Sequence, residues 1–263
     1  MAIVFSAILP HSPLLVPNIG KTNQMLFTAT LAASQIITEN LKAHQPDIVI
    51  IITPTGAKRN TGFVFNIAPK FTSDLSDFGD LVTRWQFTGN LKLSAHIRET
   101  LEGQTSIQIL SNPELDYASA ITLSLAGIHE TTPILPVSTS RDSLTDHYSF
   151  GEKLQTSLLE TPQKIAILAS ADFSHRLTKN SPAGYLAKAK KIDKKIIDLI
   201  ITGKVNDILA LTPRQLEEVA IEDMGPVAML LGMIKEFDWT PRLLSYESPF
   251  GVSHAVIGYN LSL

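Results

Sequence analysis

Short apolar runs rich in β-branched residues recur along the chain, and each is bounded by polar or turn-forming residues. Runs of this kind are typical of strands buried on both faces of a sheet. They predict strands at Ile3–Leu9, Asp47–Thr53, Phe63–Ile67, Ser106–Leu110, Pro133–Val137, Lys164–Ala169, Leu243–Tyr246 and Ala255–Tyr259.

Segments of helical length and spacing lie between many of these runs, at Asn23–Ala43, Ser143–Leu159, Ala183–Ile201 and Gly225–Phe237. Ser143 is suited to the N-cap of its helix. Strands that alternate with helices favour an α/β fold, with a layered mixed (partly parallel) sheet flanked by helices. The sequence contains no internal repeat and no linker-like stretch, so we expect one domain over residues 1–263.

The amino-acid composition limits which ligands and partners a functional site could use. The chain has no cysteine, which excludes disulfides and thiolate metal sites and leaves His, Asp and Glu as metal ligands. The net charge of −3 gives no electrostatic reason to expect nucleic acid binding, and the lysines near residue 190 share a helix with an apolar stripe. No apolar run approaches the roughly 20 residues that span a bilayer, so we expect no membrane contact and a cytoplasmic location.

Polar, loop-forming residues follow four of the predicted strands. His11 follows the first strand and Thr55 the second. Asp172 and His175 follow the strand at Lys164–Ala169, and Glu247 follows the strand at Leu243–Tyr246. In open α/β sheets, ligands bind at the carboxyl ends of the strands. Two histidines and a glutamate there indicate either a metal site or an acid–base pair, and the pattern alone does not choose.

A hydrolase is the rival chemistry. The sequence has no G-x-S-x-G elbow, and Ser174 is poorly placed to use the adjacent His175 as its base. A metal-dependent hydrolase or lyase that uses His175 as a base remains a minor alternative.

Six stretches together resemble a known family, the class III extradiol ring-cleavage dioxygenases of the LigB-like type. This family includes the catalytic beta chain of protocatechuate extradiol dioxygenase and is related to the AmmeMemoRadiSam-system and Memo-like proteins. The matching stretches occur in the family's order and spacing at Ala7–Gly20, Asp47–Gly56, Leu115–Tyr117, Ala169–Leu177, Gly225–Ala228 and Leu244–Val252.

The resemblance implies a non-haem Fe(II) held by two histidines and one glutamate, with open positions for a catechol-like substrate and O₂. Carried over by position, His11 and Glu247 match metal ligands, and His175 matches the acid/base that handles the substrate protons. Asp172 belongs to the same stretch as His175 and is expected beside the substrate. We also expect a homo-oligomer, most simply a dimer.

Two positions depart from the family pattern. Thr55 stands where the family has its second histidine ligand, and Tyr117 stands where it has another histidine. A neutral hydroxyl is a poor replacement for imidazole on Fe(II), so we expect a weakened iron site unless another side chain substitutes. Candidates for that third ligand are Asp116, Glu222, Asp223 and His254. Two functions stay open: an iron-dependent dioxygenase with an altered metal shell, or a non-catalytic, Memo-like member that binds a small molecule or a protein partner.

Overall fold

A computed structural model describes residues 3–57, 62–101, 103 and 106–261. It contains ten strands among these residues: β1 (Ile3–Leu9), β2 (Ile48–Thr53), β3 (Phe63–Asn66), β4 (Lys70–Leu75), β5 (Asp80–Thr88), β6 (Ile107–Leu110), β7 (Ile134–Ser138), β8 (Ile165–Ser170), β9 (Trp239–Glu247) and β10 (His254–Leu261). Eight of them form one sheet in the order β6-β3-β7-β2-β8-β1-β10-β9, and β4 and β5 form a separate hairpin.

The direction of the strands decides which of their ends lie together. Strands β7, β2, β8 and β1 are parallel neighbours, whereas β10 runs antiparallel to both β1 and β9. The carboxyl ends of β7, β2, β8, β1 and β9 therefore share one edge of the sheet with the beginning of β10. Every residue of β2 and β8 is buried, as expected for central strands of a sheet covered on both faces.

Helices cover both faces of the sheet. They are α1 (Pro17–Gly20), α2 (Thr28–His44), α3 (Leu91–Leu101), α4 (Tyr117–Leu125), α5 (Leu144–Leu158), α6 (Ala189–Ile201), α7 (Val205–Leu209), α8 (Pro213–Glu218) and α9 (Met224–Met233). One core packs α3, α5, α6 and α9 against the sheet, and the other packs α2, α4 and the β4–β5 hairpin against the opposite face. None of the helices in the described part of the chain is long and apolar enough to cross a membrane.

The mixed α/β fold class is confirmed, and each predicted strand is present with bounds that differ by four residues or fewer. Ser143 caps α5 as expected, in a reciprocal capping box with Asp146. The helix predicted from residue 23 begins as a 3₁₀ turn at Lys21–Phe27 before α2, and the one predicted from residue 183 begins only at Ala189. The β4–β5 hairpin and helices α1, α3, α4, α7 and α8 were not predicted.

Candidate functional site

The centre of the site is formed where β1 and β8 end side by side. The two strands are parallel neighbours in register up to Leu9 and Ser170, so the residues that follow them also lie close together. His11 and Asp172 each come two residues after their strand, and the backbone N–H of His11 donates to Asp172 Oδ1 at 3.4 Å. Parallel register therefore brings together two residues that are 161 positions apart in sequence.

The His11 imidazole is buried and faces two carboxylates. Its Nδ1 lies 3.0 Å from the hydroxyl oxygen of Ser170. Its Nε2 lies 3.6 Å from Asp223 Oδ2 and 3.9 Å from Asp172 Oδ2, which is ion-pair distance but beyond a good hydrogen bond. The side chain of His11 is only 7% exposed, so this nitrogen is largely shielded from water.

Asp172 joins His11 to a second histidine at the beginning of β10. His254 Nδ1 lies 2.8 Å from Asp172 Oδ1, and both side chains are buried. Burial opposes ionisation of Asp172, but the charges of His254 and His11 outweigh that effect and hold its pKa below the ordinary value. Asp172 is therefore an ionised carboxylate shared by two imidazoles.

Asp223 is the second buried carboxylate, and it comes directly before α9. Its Oδ2 accepts a hydrogen bond from the backbone N–H of Asp172 at 3.1 Å. Burial and the neighbouring charge of Asp172 raise the pKa of Asp223 to about 6, although His11 acts in the opposite direction. The sequence left Asp223 as one of four open candidates, and the structure shows that its carboxylate faces His11.

Thr55 lies beside the site but is hydrogen-bonded to another carboxylate. Its hydroxyl donates to Asp116 Oδ1 at 2.6 Å, and Thr53 donates to the same oxygen at 2.7 Å. Asp116 also caps α4 by accepting the backbone N–H of Ser119. Thr55 is thus adjacent to the start of α4, where Tyr117 is the first residue.

The Tyr117 ring packs edge-on against the His11 ring, with centroids 5.9 Å apart. Burial and the charges of Asp223, Asp172, Asp116 and Glu222 raise the pKa of Tyr117 to about 12. Its hydroxyl is therefore protonated at neutral pH, in a region where the neighbouring charges are negative. On its other side the ring contacts an aromatic residue of the loop between β4 and β5, Phe78.

His175 is half-buried on a loop that two neighbouring segments hold in place. Its backbone N–H donates to the carbonyl of Val219, and the N–H of Leu177 donates to the carbonyl of Gly251. Its Nδ1 lies 3.0 Å from the backbone carbonyl of Ala220. A carbonyl only accepts, so Nδ1 carries the proton of the neutral ring and Nε2 carries the lone pair. This geometry leaves His175 Nε2 as an acceptor, and the ring is close enough to Asp172 and Asp223 to affect the pKa of both carboxyl groups.

Glu247, at the end of β9, binds the beginning of α2. One carboxylate oxygen accepts the N–H of Ala29 at 3.1 Å, and the other accepts the N–H and the hydroxyl of Thr30, both at 2.7 Å. A negative charge is stabilised at a helix N-terminus, where backbone N–H groups lack partners within the helix. Among the described residues, no hydrogen bond or ion pair links Glu247 to His11. The metal-ligand role of Glu247 stays a prediction, while its contacts give it a structural role.

Replacing Glu247 with alanine is expected to lower the free energy of unfolding by about 1–2 kcal/mol, because α2 loses its cap. Glu247→Gln keeps one acceptor oxygen and should lose less. Denaturant unfolding in the presence of EDTA measures the loss of stability in both variants, and Glu130→Ala, at an exposed residue, is the control. Unchanged stability in Glu247→Ala would show that the cap contributes nothing.

The donor set does not fit the iron triad that the family pattern implies. Two of the three positions that match metal ligands in the family are occupied differently here. Thr55 donates to Asp116, and Glu247 caps α2. Within the described ranges, no group of three or more His, Asp or Glu side chains is arranged to hold a metal ion. What the structure does assemble is an acid–base cluster of His11, Asp172, Asp223 and His254, with His175 and Tyr117 beside it.

Comparison with known proteins identifies the family. The sequence model of one protein family, the catalytic LigB subunit of aromatic ring-opening dioxygenase, matches residues 6–257, which is nearly the whole chain. The chain belongs to the LigB family. A curated relative, Protein CA_C1420 of Clostridium acetobutylicum, is 23% identical over 261 residues. The match covers 95% of this chain but 56% of that protein, so the chain spans about half of its relative's length.

A solved structure supports the fold of this LigB-family chain. It is that of the uncharacterized protein JW3007 from Escherichia coli K12, which superposes with a TM-score of 0.66 over 97% of this chain and 99% of that chain. The sequence identity is 14%, so the likeness concerns the fold alone. Membership of a ring-opening dioxygenase family is thus established, and the chemistry of this member depends on its own residues.

Proposed function

We propose that this LigB-family chain binds a small compound with adjacent hydroxyl groups at the acid–base cluster, without iron-dependent ring cleavage. The observation that carries the proposal is the combination of a preserved cluster and a missing triad. His11, Asp172 and Asp223 are grouped at the sheet edge with His175 close enough to affect both carboxylates, while Thr55 donates to Asp116 and Glu247 caps α2.

The cluster is rich in hydrogen-bond acceptors. His175 Nε2 carries a lone pair, and Asp223 offers a carboxylate that is buried but poorly compensated. A vicinal diol presents two adjacent O–H donors, and O–H groups bound to a carboxylate or an imidazole form strong hydrogen bonds in a site shielded from water. The substrate class of the family and the acceptors of this chain therefore agree on hydroxyl groups as the recognised feature.

Catechol should bind saturably to the EDTA-treated protein, since the proposal requires no metal. His175→Ala should weaken binding at least about tenfold because it removes an acceptor for a hydroxyl group. Asp223→Asn should weaken it by a similar factor, because it removes the negative charge and replaces one carboxylate oxygen with an NH₂ donor. Calorimetric titration measures this, with the exposed Asp198→Asn as the control. Failure of catechol to bind, or binding that neither substitution weakens, would contradict the proposal.

A second candidate function, binding of a metal ion, rests on the distance between His11 and Asp223. His11 Nε2 and Asp223 Oδ2 are 3.6 Å apart, which suits two ligands about 2.0–2.2 Å from one ion. On this account His11 and Asp223 would be two ligands of a metal ion, and no third His, Asp or Glu ligand is grouped with them among the described residues. His175 would then hold and release the substrate protons, and its replacement by alanine should lower turnover by roughly 10²–10⁴-fold.

A further inference from the structure

We infer that Asp193, buried on α6, is a positioning residue that holds three chain segments of the candidate site. These segments carry His175, Glu247 and His254, and Asp193 binds the residue directly before each of them. The inference extends the proposed function, on which its binding test rests, to a residue that lies outside the acid–base cluster.

Asp193 occupies an inward position of α6 where an apolar residue is expected. The residues that share this helix face by their spacing are all buried in the core: Ala189, Ile196, Ile197 and Ile200. Asp193 itself is 0% exposed, and it forms no ion pair with any cation of the described residues. Burial of a carboxylate is costly unless hydrogen bonds compensate for the lost water. A set of donors must therefore account for an aspartate at this position.

Three donors from separate segments supply that compensation. Asp193 Oδ1 accepts the backbone N–H of Ser174 at 2.8 Å and the hydroxyl of Ser253 at 2.9 Å, and Oδ2 accepts the hydroxyl of Tyr246. Burial and the charge of Asp193 raise the pKa of Tyr246 well above its usual range, so its hydroxyl stays protonated and donates. Hydrogen bonds to a carboxylate are roughly twice as strong as those between neutral groups, so this contact restrains all three segments.

The alternation of side chains along a strand links these contacts to the site. Consecutive side chains of a strand point to opposite faces of the sheet. Tyr246 packs against the core on the α6 side, whereas the next residue, Glu247, binds the beginning of α2 on the other face. At the start of β10, Ser253 contacts α6, and the next residue, His254, contacts Asp172. Holding the inner residue of each pair from α6 thus sets the direction of the site residue that follows it.

The contact with Ser174 acts on His175 in the same way. Two backbone hydrogen bonds of 2.9 Å already join the segment of Ser174 to Ser253, and Asp193 Oδ1 joins the two segments a third time. His175 follows immediately, with its Nδ1 3.0 Å from the carbonyl of Ala220, the contact that leaves Nε2 as an acceptor. Removing the Asp193 carboxylate leaves buried donors unsatisfied and releases the His175 ring from this alignment.

Asp193→Ala should weaken the binding of catechol to the EDTA-treated protein at least about tenfold, as measured by calorimetric titration. Tyr246→Phe and Ser253→Ala each remove one donor but keep the carboxylate, so each should weaken binding by a smaller factor. The matched control is Ile200→Ala, which removes a buried side chain about 10 Å further along the same helix. The control should lose stability, as core truncations do, but should change the affinity by less than about twofold.

A second readout requires no ligand. In the folded wild type at mildly alkaline pH, long-range ¹H–¹⁵N NMR of the imidazole rings should show the proton of His175 on Nδ1. In Asp193→Ala a second form with the proton on Nε2 should appear, because the carbonyl of Ala220 no longer fixes the ring. Ile200→Ala should keep the wild-type form. Asp193→Asn, which retains an acceptor oxygen of the same shape, should restore most of the wild-type form.

Wild-type affinity in Asp193→Ala, or an unchanged proton position on His175, would overturn the inference. An equal loss of affinity in Ile200→Ala would overturn it as well, since the effect would then reflect stability alone. If catechol does not bind the wild type, the proposed function is refuted, and the NMR comparison of Asp193→Ala with Ile200→Ala decides the positioning role by itself. If Asp193→Ala does not fold, Tyr246→Phe and Ser253→Ala take its place, and the absence of any change in both overturns the inference.

Discussion

Replacing Asp172 with alanine should lower the free energy of unfolding by about 3–5 kcal/mol, the usual cost of removing one partner from a buried ion pair. Asp172 is 4% exposed, and its carboxylate contacts the imidazole of His254 and the backbone N–H of His11. The substitution leaves the His254 imidazole and the backbone N–H of His11 without their acceptor in a place that water barely reaches. Urea unfolding at pH 7 measures the loss.

The control for this prediction is Asp198→Ala, an aspartate exposed on α6. It should change stability by less than about 0.5 kcal/mol, as surface substitutions usually do. A loss below about 1 kcal/mol in Asp172→Ala would contradict the account, because it would show that the His11–Asp172–His254 group behaves like an exposed ion pair.

Asp223→Asn is expected to have the opposite effect. It should raise the free energy of unfolding by about 1–3 kcal/mol at pH 8 in the presence of EDTA. The pKa of Asp223 is raised from 3.8 to about 6, so the folded protein holds this proton more tightly than the unfolded chain does. The contribution of Asp223 to stability is therefore greatest below pH 4 and is lost as the pH rises through 6. Asparagine keeps an oxygen that can accept the N–H of Asp172 and removes the charge.

The pH dependence separates this effect from a general change in packing. At pH 4 the variant and the wild type should be nearly equal in stability, and the gain should develop between pH 4 and pH 7. Asp172 does not obscure this window, because its pKa is lowered and its own contribution is lost only at more acidic pH. Thermal or denaturant unfolding across this range is the measurement. A variant that is less stable than the wild type at pH 8 would contradict the assignment.

The sequence was informative where burial is two-sided and where neighbouring strands end together. Strand β1 was predicted with its observed bounds because nearly every one of its residues is apolar and buried. His11 and Asp172 were predicted at one site because each follows a strand, and the structure brings them together because β1 and β8 are parallel neighbours. The β4–β5 hairpin was missed because most residues of β5 are not buried and β4 alternates buried with exposed residues, including an inward Ser73.

The sequence was less informative about which carboxylate faces His11. Asp223 lies on a loop before a helix, and only long-range packing brings it to the ends of β1 and β8. Glu247 does end a strand at the expected edge, but the position of a strand end does not determine which neighbour a side chain contacts. Its contacts with Thr30 depend on where α2 begins, and the predicted helix began at Asn23, within the 3₁₀ turn.

An anaerobic Fe(II) titration of the wild type and of Thr55→His tests the central claim, that the cluster persists without an iron triad. The wild type should bind Fe(II) weakly and lose it on desalting. Thr55→His should tighten binding at least about tenfold, because it restores an imidazole at the position where the family has its second histidine ligand. Thr55→Val, which removes the hydroxyl without adding a ligand, should not tighten it. Tight stoichiometric iron in the wild type, unchanged or weakened by Thr55→His, would contradict the account and favour a working metal centre that uses Asp223.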